Sequence, residues 1–541
     1  MPCILRVLLI CLIGILSAHG SIRAGENPWI PFEEKGAVVD RIQIEVGDVF
    51  DLDDPKENHW LGRTANFLHI DTRQRIIRKN LLFKEGEPVN ARIIAETERL
   101  LRNLPYLIDA KIVPETNPDG TVTARVRVHD AWTIRVGGKF SDIGGDQDWR
   151  VRLGDINLLG YGKQLFVSHG KDSERTTQQI FYTDPLLFNT RWVLDTAYEN
   201  LSDGDLKLFR LERGFFEYTT PWAASFAFRD ESRIHTLYDR DREIYNFRFN
   251  PQQISVGVWK LLRFQHRTAI RAGVEYRHID KQYGELNQLS TPTFSAPELS
   301  DRTYSGPLLH FSLNQDRYGS FRNLKAVSVT ENYNLGWDLE FAGGYFSSAL
   351  GSETDAGYFE ASVEKGQRLT PEFLFLVEAA GHTRTESQGF RDALGSISLT
   401  GYYQSWPFQT LAANLNLTGG YEMDPENMIY IGAEEGLKGY PSHFRAGDAR
   451  WVFAMEDRVI LPWDLWGIVQ IGFVAFAEAG AIRSLDGGGW SKIYADVGGG
   501  LRLGNLKSAF GRVILLTVAY PLVKEEEADG FQVLIGNEVR F

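Results

Sequence analysis

The stretch GFQVLIGNEVRF, residues 530–541, sets how the rest of the chain is read. Phe531, Val533, Ile535, Val539 and Phe541 fall on one side of an extended chain, with Asn537 the one polar residue among them. Gln532, Glu538 and Arg540 fall on the other side, with Leu534 and Gly536. A period of two marks a strand with two unlike faces. In a soluble sandwich the apolar face meets a core and the ionic face meets water. In a membrane barrel the apolar face meets lipid and the ionic face meets a wet lumen. The rest of the chain has to choose between them.

The other end narrows the choice. MPCILRVLLICLIGILSAHG carries a basic Arg6 and an uncharged apolar run from Val7 to Leu16, then the small residues Ala18 and Gly20. This predicts a secretory signal peptide over residues 1–20, too short to span a bilayer, with 21–37 as a linker. The only two cysteines, Cys3 and Cys11, lie inside it. An exported chain without them forms no disulfide. Lysine and arginine number 58 against 71 acidic residues, a formal charge of -13 that suits no nucleic-acid partner. Aromatic residues make up 12%, yet no later apolar run is long enough for a membrane helix. That combination fits a transmembrane barrel or a large secreted β protein.

Two regimes follow along the chain. Residues 38–131 read as a small α+β domain in the order strand, helix, helix, strand, strand. VVDRIQIEV (38–46) alternates as a strand. Asp71 and Asn90 stand where helix caps are expected, before apolar residues at helical spacing. DAKIVPE and TVTARVRVHD are alternating runs joined through a Pro118-Asp119-Gly120 turn. Residues 132–541 are a series of short alternating runs with few helical patterns. About 410 residues, at roughly 25 per strand and connection, give near sixteen strands, within the even-numbered range of outer-membrane barrels. A soluble propeller would repeat a blade motif at a fixed period, and none is visible.

KEGEPVNARIIAETERLLRNLPYLIDAKIVPETNPDGTVTARVRV resembles a polypeptide-transport-associated (POTRA) repeat, with Leu100, Leu104, Tyr106 and Ala110 at its core positions. The segment GDVFDLDDPKENHWLGRTANFL is a longer insertion than such repeats usually carry. DINLLGYGKQLFV, YTDPLLFNTRW, EGLKGYPSHFRAGDARWVFAMEDRV, FAEAG and GGGLRL resemble successive motifs of the BamA/TamA superfamily, also called bacterial surface antigen proteins. The resemblance implies a signal peptide, one periplasmic POTRA-like domain and an outer-membrane β-barrel of a Gram-negative-type bacterium. It further implies assembly, insertion or translocation of unfolded polypeptide clients, in contact with outer-membrane lipid and with periplasmic or outer-membrane accessory proteins.

The resemblance also assigns residues. Leu437, Lys438, Gly439 and Tyr440 match a tetrad on a loop (about 434–448) folded into the lumen, where the family has Arg in place of Lys438 and Asp in place of Glu478. The pairing expected here is Lys438 with Glu478, and Glu456 as a second partner. Lys offers one mobile charge where Arg offers a planar fork. Trp451, Phe453 and Met455 alternate with Glu456, as Phe473, Ala475 and Ala477 do with Glu478, which aims both carboxylates at the lumen. Gly536, Val539 and Phe541 match a C-terminal assembly signal, with Phe541 expected at the aromatic girdle. Lys111 and Val113 lie on the strand expected to be a free edge for client strand addition.

No HExxH, GxSxG, CxxC or complete Walker-type loop is present, and the eleven histidines are scattered. No enzymatic activity, metal or cofactor is expected, and no catalytic domain precedes the barrel region. A barrel-embedded lipid hydrolase would need a Ser/His pair that nothing in the sequence selects. A passive channel or ligand-binding barrel without assembly activity is the alternative to an assembly or translocation role.

Overall fold

The computed structural model describes residues 27–541 apart from 144–145, 173, 486–487, 508–512 and 537–541. The expected signal peptide and the positions Val539 and Phe541 lie outside the described residues. After a short helix α1 (Ile30–Glu34) come strand β1 (Val39–Gly47), helices α2 (Trp60–Leu68), α3 (Gln74–Asn80) and α4 (Ala91–Arg102), and strands β2 (Leu107–Thr116) and β3 (Val122–Asp130). The sheet order is β1-β3-β2, with β1 parallel and β2 antiparallel to β3. The parallel pair needs a long crossover, which the helices supply. Alternate residues of β3, Ala124, Val126 and Val128, face the core with Ile77, Ile94, Leu101, Tyr106, Ala110 and Ile112.

Three readings of this region change. The described part of the segment expected to be a linker, residues 27–37, packs on the domain: Trp29 is buried and its indole Nε1 donates to the Ile112 carbonyl at 2.9 Å. The long insertion holds an additional helix, α2, whose first turn is capped by the His59 ring accepting from Gly62 N–H at 3.1 Å. Asp71 caps nothing. Helix α3 starts later, its N-cap Arg73 makes no side-chain cap bond, and the Asp71 carboxylate sits with His69 and Asp130 instead. Asn90 does cap α4, accepting from Ile93 N–H at 3.0 Å.

From Ile134 onward antiparallel strands follow one another around a closed barrel, the last (Gln532–Gly536) pairing with the first (Ile134–Ile143). Among the described residues the closed order holds twenty strands of five residues or more and the two-residue strand Asn287–Gln288, not the sixteen expected. The reason is turn length. Arg240-Asp241 and His266-Arg267 are two-residue turns with every φ between 50° and 60°. Such turns usually carry Asn-Gly or Asp-Gly. These do not, so the sequence hides the hairpins and each strand-plus-connection is counted too long.

Burial in the barrel is inverted relative to a soluble protein. Val151, Leu153, Val258, Leu309, Phe453, Met455, Phe473 and Val518 point outward and are exposed, while Glu456, Arg458, Glu478 and Arg502 point inward and are buried. Soluble proteins almost never bury such charges while exposing a continuous apolar surface. A barrel with lipid outside and a polar lumen does both. At the short-turn end the exposed rim carries Trp222, Trp406, Phe408, Trp463 and Trp466, the aromatic girdle of an interface.

The α+β domain is bound to that short-turn end. Arg73 N–H donates to Gly160 O at 3.1 Å, Asn157 Nδ2 to Thr72 Oγ1 at 2.8 Å, and Tyr218 N–H to Glu96 Oε1 at 2.8 Å. Arg99 pairs with Asp316 at 2.6 Å and Lys507 with Glu57 at 2.6 Å. These partners sit on hairpins spread around the rim, so the domain covers the mouth of the barrel.

Candidate functional site

Two inserts fill the lumen, one entering from each end. The first lies between strands Gln409–Tyr421 and Ala449–Leu465 and carries the LKGY tetrad. Its own short hairpin, Ile429–Ile431 with Arg445–Gly447, holds it folded inward. Leu437, Tyr440 and Phe444 form an apolar cluster with Ile431, Val452 and Tyr494. The Tyr440 hydroxyl lies 3.0 Å from both the Ala495 and Val523 carbonyls. An apolar ring with a tethered hydroxyl gives the loop one depth in the lumen.

The structure brings Lys438, Glu456 and Glu478 together. Lys438 Nζ pairs with Glu478 Oε1, and the Lys438 backbone N–H donates to the other oxygen, Oε2, at 2.8 Å. Two donors from one residue thus take both oxygens of Glu478, the task an arginine fork performs with its side chain alone. Lys438 Nζ also lies 3.5 Å from Glu456 Oε1 and over the Phe476 ring at 4.3 Å. Gly439 N–H donates to Asp496 Oδ2 at 3.0 Å. A Cβ on Gly439 would stand 2.7 Å from Asp496 Cβ, so glycine is required by close approach to the wall.

The second insert was not visible in the sequence. Between strands Arg302–Gln315 and Trp337–Phe346 the chain forms a hairpin, Tyr318–Arg322 with Thr330–Asn334, which reaches across the lumen from the short-turn end. Its tip buries Leu324, Ala326 and Val327. Arg458 Nη1 donates to Leu324 O at 2.6 Å and Arg502 Nη2 to Lys325 O at 2.8 Å. Glu331 accepts the Leu324 and Lys325 N–H groups. The same Arg458 holds Glu456 Oε2 at 2.8 Å. A continuous chain of buried charge therefore runs from Glu478 through Lys438, Glu456 and Arg458 to the tip of the inner hairpin. Of this chain the sequence had marked Lys438, Glu456 and Glu478, but neither Arg458 nor the hairpin it holds. Elsewhere in the lumen a cavity of about 960 Å³ remains, with Arg271, Glu275, Arg277, His310, Glu340 and Glu360 in its lining.

The two other expected sites are placed differently. Val533, Leu534 and Ile535 pair with Asp142, Ser141 and Phe140, and among the described residues this is the whole register that closes the barrel. Gly536 lies at the end of that strand, opposite Leu515 on the other side. Phe531 and Val533 are exposed and Gln532 is buried, so the described part of the terminus keeps its period of two.

Strand β2 is an edge, but its open side is occupied. Ile112 N–H donates to Glu98 at 2.9 Å and Ile112 O accepts from Trp29. Ala110 O accepts from Arg102 at 3.3 Å, Ala110 N–H goes to Asp109 at 2.9 Å, and Pro114 has no N–H to offer. Backbone groups alternate in direction along a strand, so Lys111 and Val113 turn theirs toward β3. They belong to the domain's own ladder and not to a free docking edge, which corrects the expectation for both residues. The opposite edge is guarded as well. Ile42 N–H donates to Glu85, and this bond, ahead of the Arg78 contact, holds the Glu85 carboxyl below its ordinary range. Arg78 also donates to Ile42 O at 3.0 Å.

No protein-family model matches the chain, and no curated protein matches it. Among solved structures the chain is similar to CdiB from Escherichia coli, at 12% identity and a TM-score of 0.45, covering 91% of this chain and 75% of that one. It is similar to CdiB from Acinetobacter baumannii at 13% identity and a TM-score of 0.43, covering 92% and 74%. It is similar to BamA from Haemophilus ducreyi lacking POTRA domains 1–3 at 11% identity and a TM-score of 0.38, covering 91% and 83%.

Proposed function

We propose that the chain is an outer-membrane barrel of the BamA/TamA superfamily that inserts or translocates polypeptide, with its α+β domain acting as a POTRA-like unit on the periplasmic side. The observation that carries this reading is the lumen occupied by two inserts. An open pore leaves its centre free, whereas here inserts from both ends are joined by buried ion pairs. A passive channel is the second reading, and the 960 Å³ cavity is the feature that favours it.

In the proposed mechanism the seam between Gln532–Gly536 and Ile134–Ile143 parts to admit a client strand, which takes up the main-chain bonds released. An unpaired edge in lipid is costly, so the seam opens only in exchange for new pairing. The nearby wall, Ala449–Leu465 with Val469–Arg483, lies two strands from the seam and stays whole because the lumenal inserts brace it. The reading asks for no catalytic residue, metal or cofactor. Client strand addition at β2 would first have to displace Trp29, Glu98 and Arg102, so the seam is the better receiving edge.

The test is a seam disulfide. Ser141→Cys with Leu534→Cys places thiols on positions the register sets opposite each other. In proteoliposomes, oxidation is expected to stop insertion of an unfolded outer-membrane client, and reduction to restore it. Client-free conductance should stay low throughout. Insertion that ignores the disulfide would remove the seam from the mechanism, and high resting conductance would favour the channel.

A further inference from the structure

The insertion between β1 and α3 serves neither the lumen nor the seam, and its helix α2 shows an unusual surface. Leu61, Gly62 and Ala65 turn toward the domain, where Gly62 packs so closely that a Cβ would stand 2.4 Å from the Glu57 carbonyl. The other face holds Trp60, Arg63, Thr64, Phe67 and Leu68, all exposed, with Ile70 just beyond. Phe67 is 86% exposed and Trp60 68%. Four large apolar side chains within eleven residues form a patch that water does not favour.

The position of the helix indicates what covers it. Its N-cap residue His59 places Nε2 3.0 Å from the Trp466 carbonyl. Trp466 lies in the turn after strand Ala449–Leu465, and Trp463, Leu465 and Trp466 are all exposed there, on the rim of the barrel's apolar belt. Lys507, on a neighbouring hairpin, pairs with Glu57 and stands over the Phe50 ring at 4.6 Å. The helix thus starts at the level of the aromatic girdle, beside the exposed Trp463, Leu465 and Trp466.

We propose that α2 lies in the bilayer interface as a short amphipathic helix, with Trp60, Phe67, Leu68 and Ile70 in the short-turn leaflet. This proposal rests on the membrane-barrel reading. Interfacial helices combine such an apolar face with a polar one. The contact is apolar and not electrostatic, because the preceding loop is acidic at Asp51, Asp53 and Asp54. It holds the α+β domain against the membrane as well as against the barrel rim.

Phe67 is exposed, so Phe67→Cys leaves the packing intact. With Cys3 and Cys11 replaced by Ser it is the only thiol. The full chain, labelled there with an environment-sensitive fluorophore, is placed in zwitterionic vesicles whose acyl chains are brominated or not. Phe453→Cys on the barrel belt reports insertion, and Asp119→Cys, at the end of β3 away from the barrel, reports water. We expect Phe67 emission to shift to the blue and to be quenched by bromine as at Phe453, with no quenching at Asp119, and equally in vesicles containing anionic lipid. Emission at Phe67 like that at Asp119 would overturn the proposal. So would a blue shift without bromine quenching, which means that protein, such as a second copy, covers the helix. Absence of quenching at Phe453 would overturn the barrel reading itself, and the helix proposal with it.

Discussion

The wall around Glu456 and Glu478 and the seam at Gln532–Gly536 belong to one closed sheet, yet they are held in different ways. The wall strands Ala449–Leu465 and Val469–Arg483 pair from Ala449 opposite Arg483 to Leu465 opposite Val469. They are further bound from inside by Lys438 and, through Arg458, by the inner hairpin. The described seam has three register pairs, Val533 to Ile535. A ladder of main-chain bonds can be traded for an equal ladder with another strand at little net cost. A wall tied to buried charges cannot part without leaving those charges unpaired, at about 3–5 kcal/mol for a broken buried pair. The two stretches of sheet are therefore unlike by construction, a braced one standing only two strands from an exchangeable seam.

The sharpest way to break this contrast is to damage the brace. Glu478→Lys sets a second cation beside Lys438 in a buried site, and a loss of about 3–5 kcal/mol is expected. It should be read as a barrel that loses its heat-modifiable mobility and exposes residues 434–448 to protease. Glu478→Gln keeps the shape and should cost about 1–3 kcal/mol. Exchanging both charges, Lys438→Glu with Glu478→Lys, should rescue in part only, because the backbone N–H of residue 438 loses its acceptor. Damage that adds in the double variant would mean the two side chains do not act on each other.

Arg458→Met sharpens the contrast by testing whether the two inserts share one brace. It leaves the Leu324 carbonyl unpaired and takes one partner from Glu456, at a cost of about 1–3 kcal/mol. Protease access should rise both at residues 322–330 and at 434–448. Combined with Lys438→Ala, the effects should depart from additivity by about 0.5–3 kcal/mol. Cleavage confined to the hairpin would separate the inserts and end the idea of a common brace.

Smaller effects are expected in the α+β domain, where edges are guarded by side chains. Lys111→Pro should destabilise the domain by about 1–3 kcal/mol through loss of a β2–β3 ladder bond, seen as faster cleavage of the domain with the barrel intact. Trp29→Phe frees the Ile112 carbonyl and leaves part of the buried indole's space unfilled, and should cost about 1–3 kcal/mol. It should also raise crosslinking of an unfolded client to β2. Unchanged crosslinking would show that the guarded edge plays no part in client handling even when partly opened.

The sequence displayed one part of the lock and concealed the other. LKGY and FAEAG stand out through their resemblance to family motifs, and the alternation around Glu478 aims its carboxylate at the lumen. That resemblance paired Lys438 with Glu478. The inner hairpin, by contrast, reads as an ordinary polar connection. Its Leu324, Ala326 and Val327 are too few and too closely spaced to signal a period. The strand count failed for a related reason, since turns such as Arg240-Asp241 and His266-Arg267 adopt left-handed conformations without the residues that usually announce them.

What the sequence determined by itself was periodicity and its consequences: a two-faced strand at the terminus, an α+β segment before a long alternating region, and buried carboxylates on inward-facing positions. These follow from local geometry, because side-chain direction along a strand depends only on neighbours one and two residues away. Only the tertiary structure decided which distant groups meet. The closing of the barrel brought Arg458 to the tip of a hairpin more than a hundred residues earlier. Packing of the domain turned Trp29 and Glu98 onto the open side of β2. Both depend on how the chain returns on itself, and contacts of that kind leave no period for the sequence to carry.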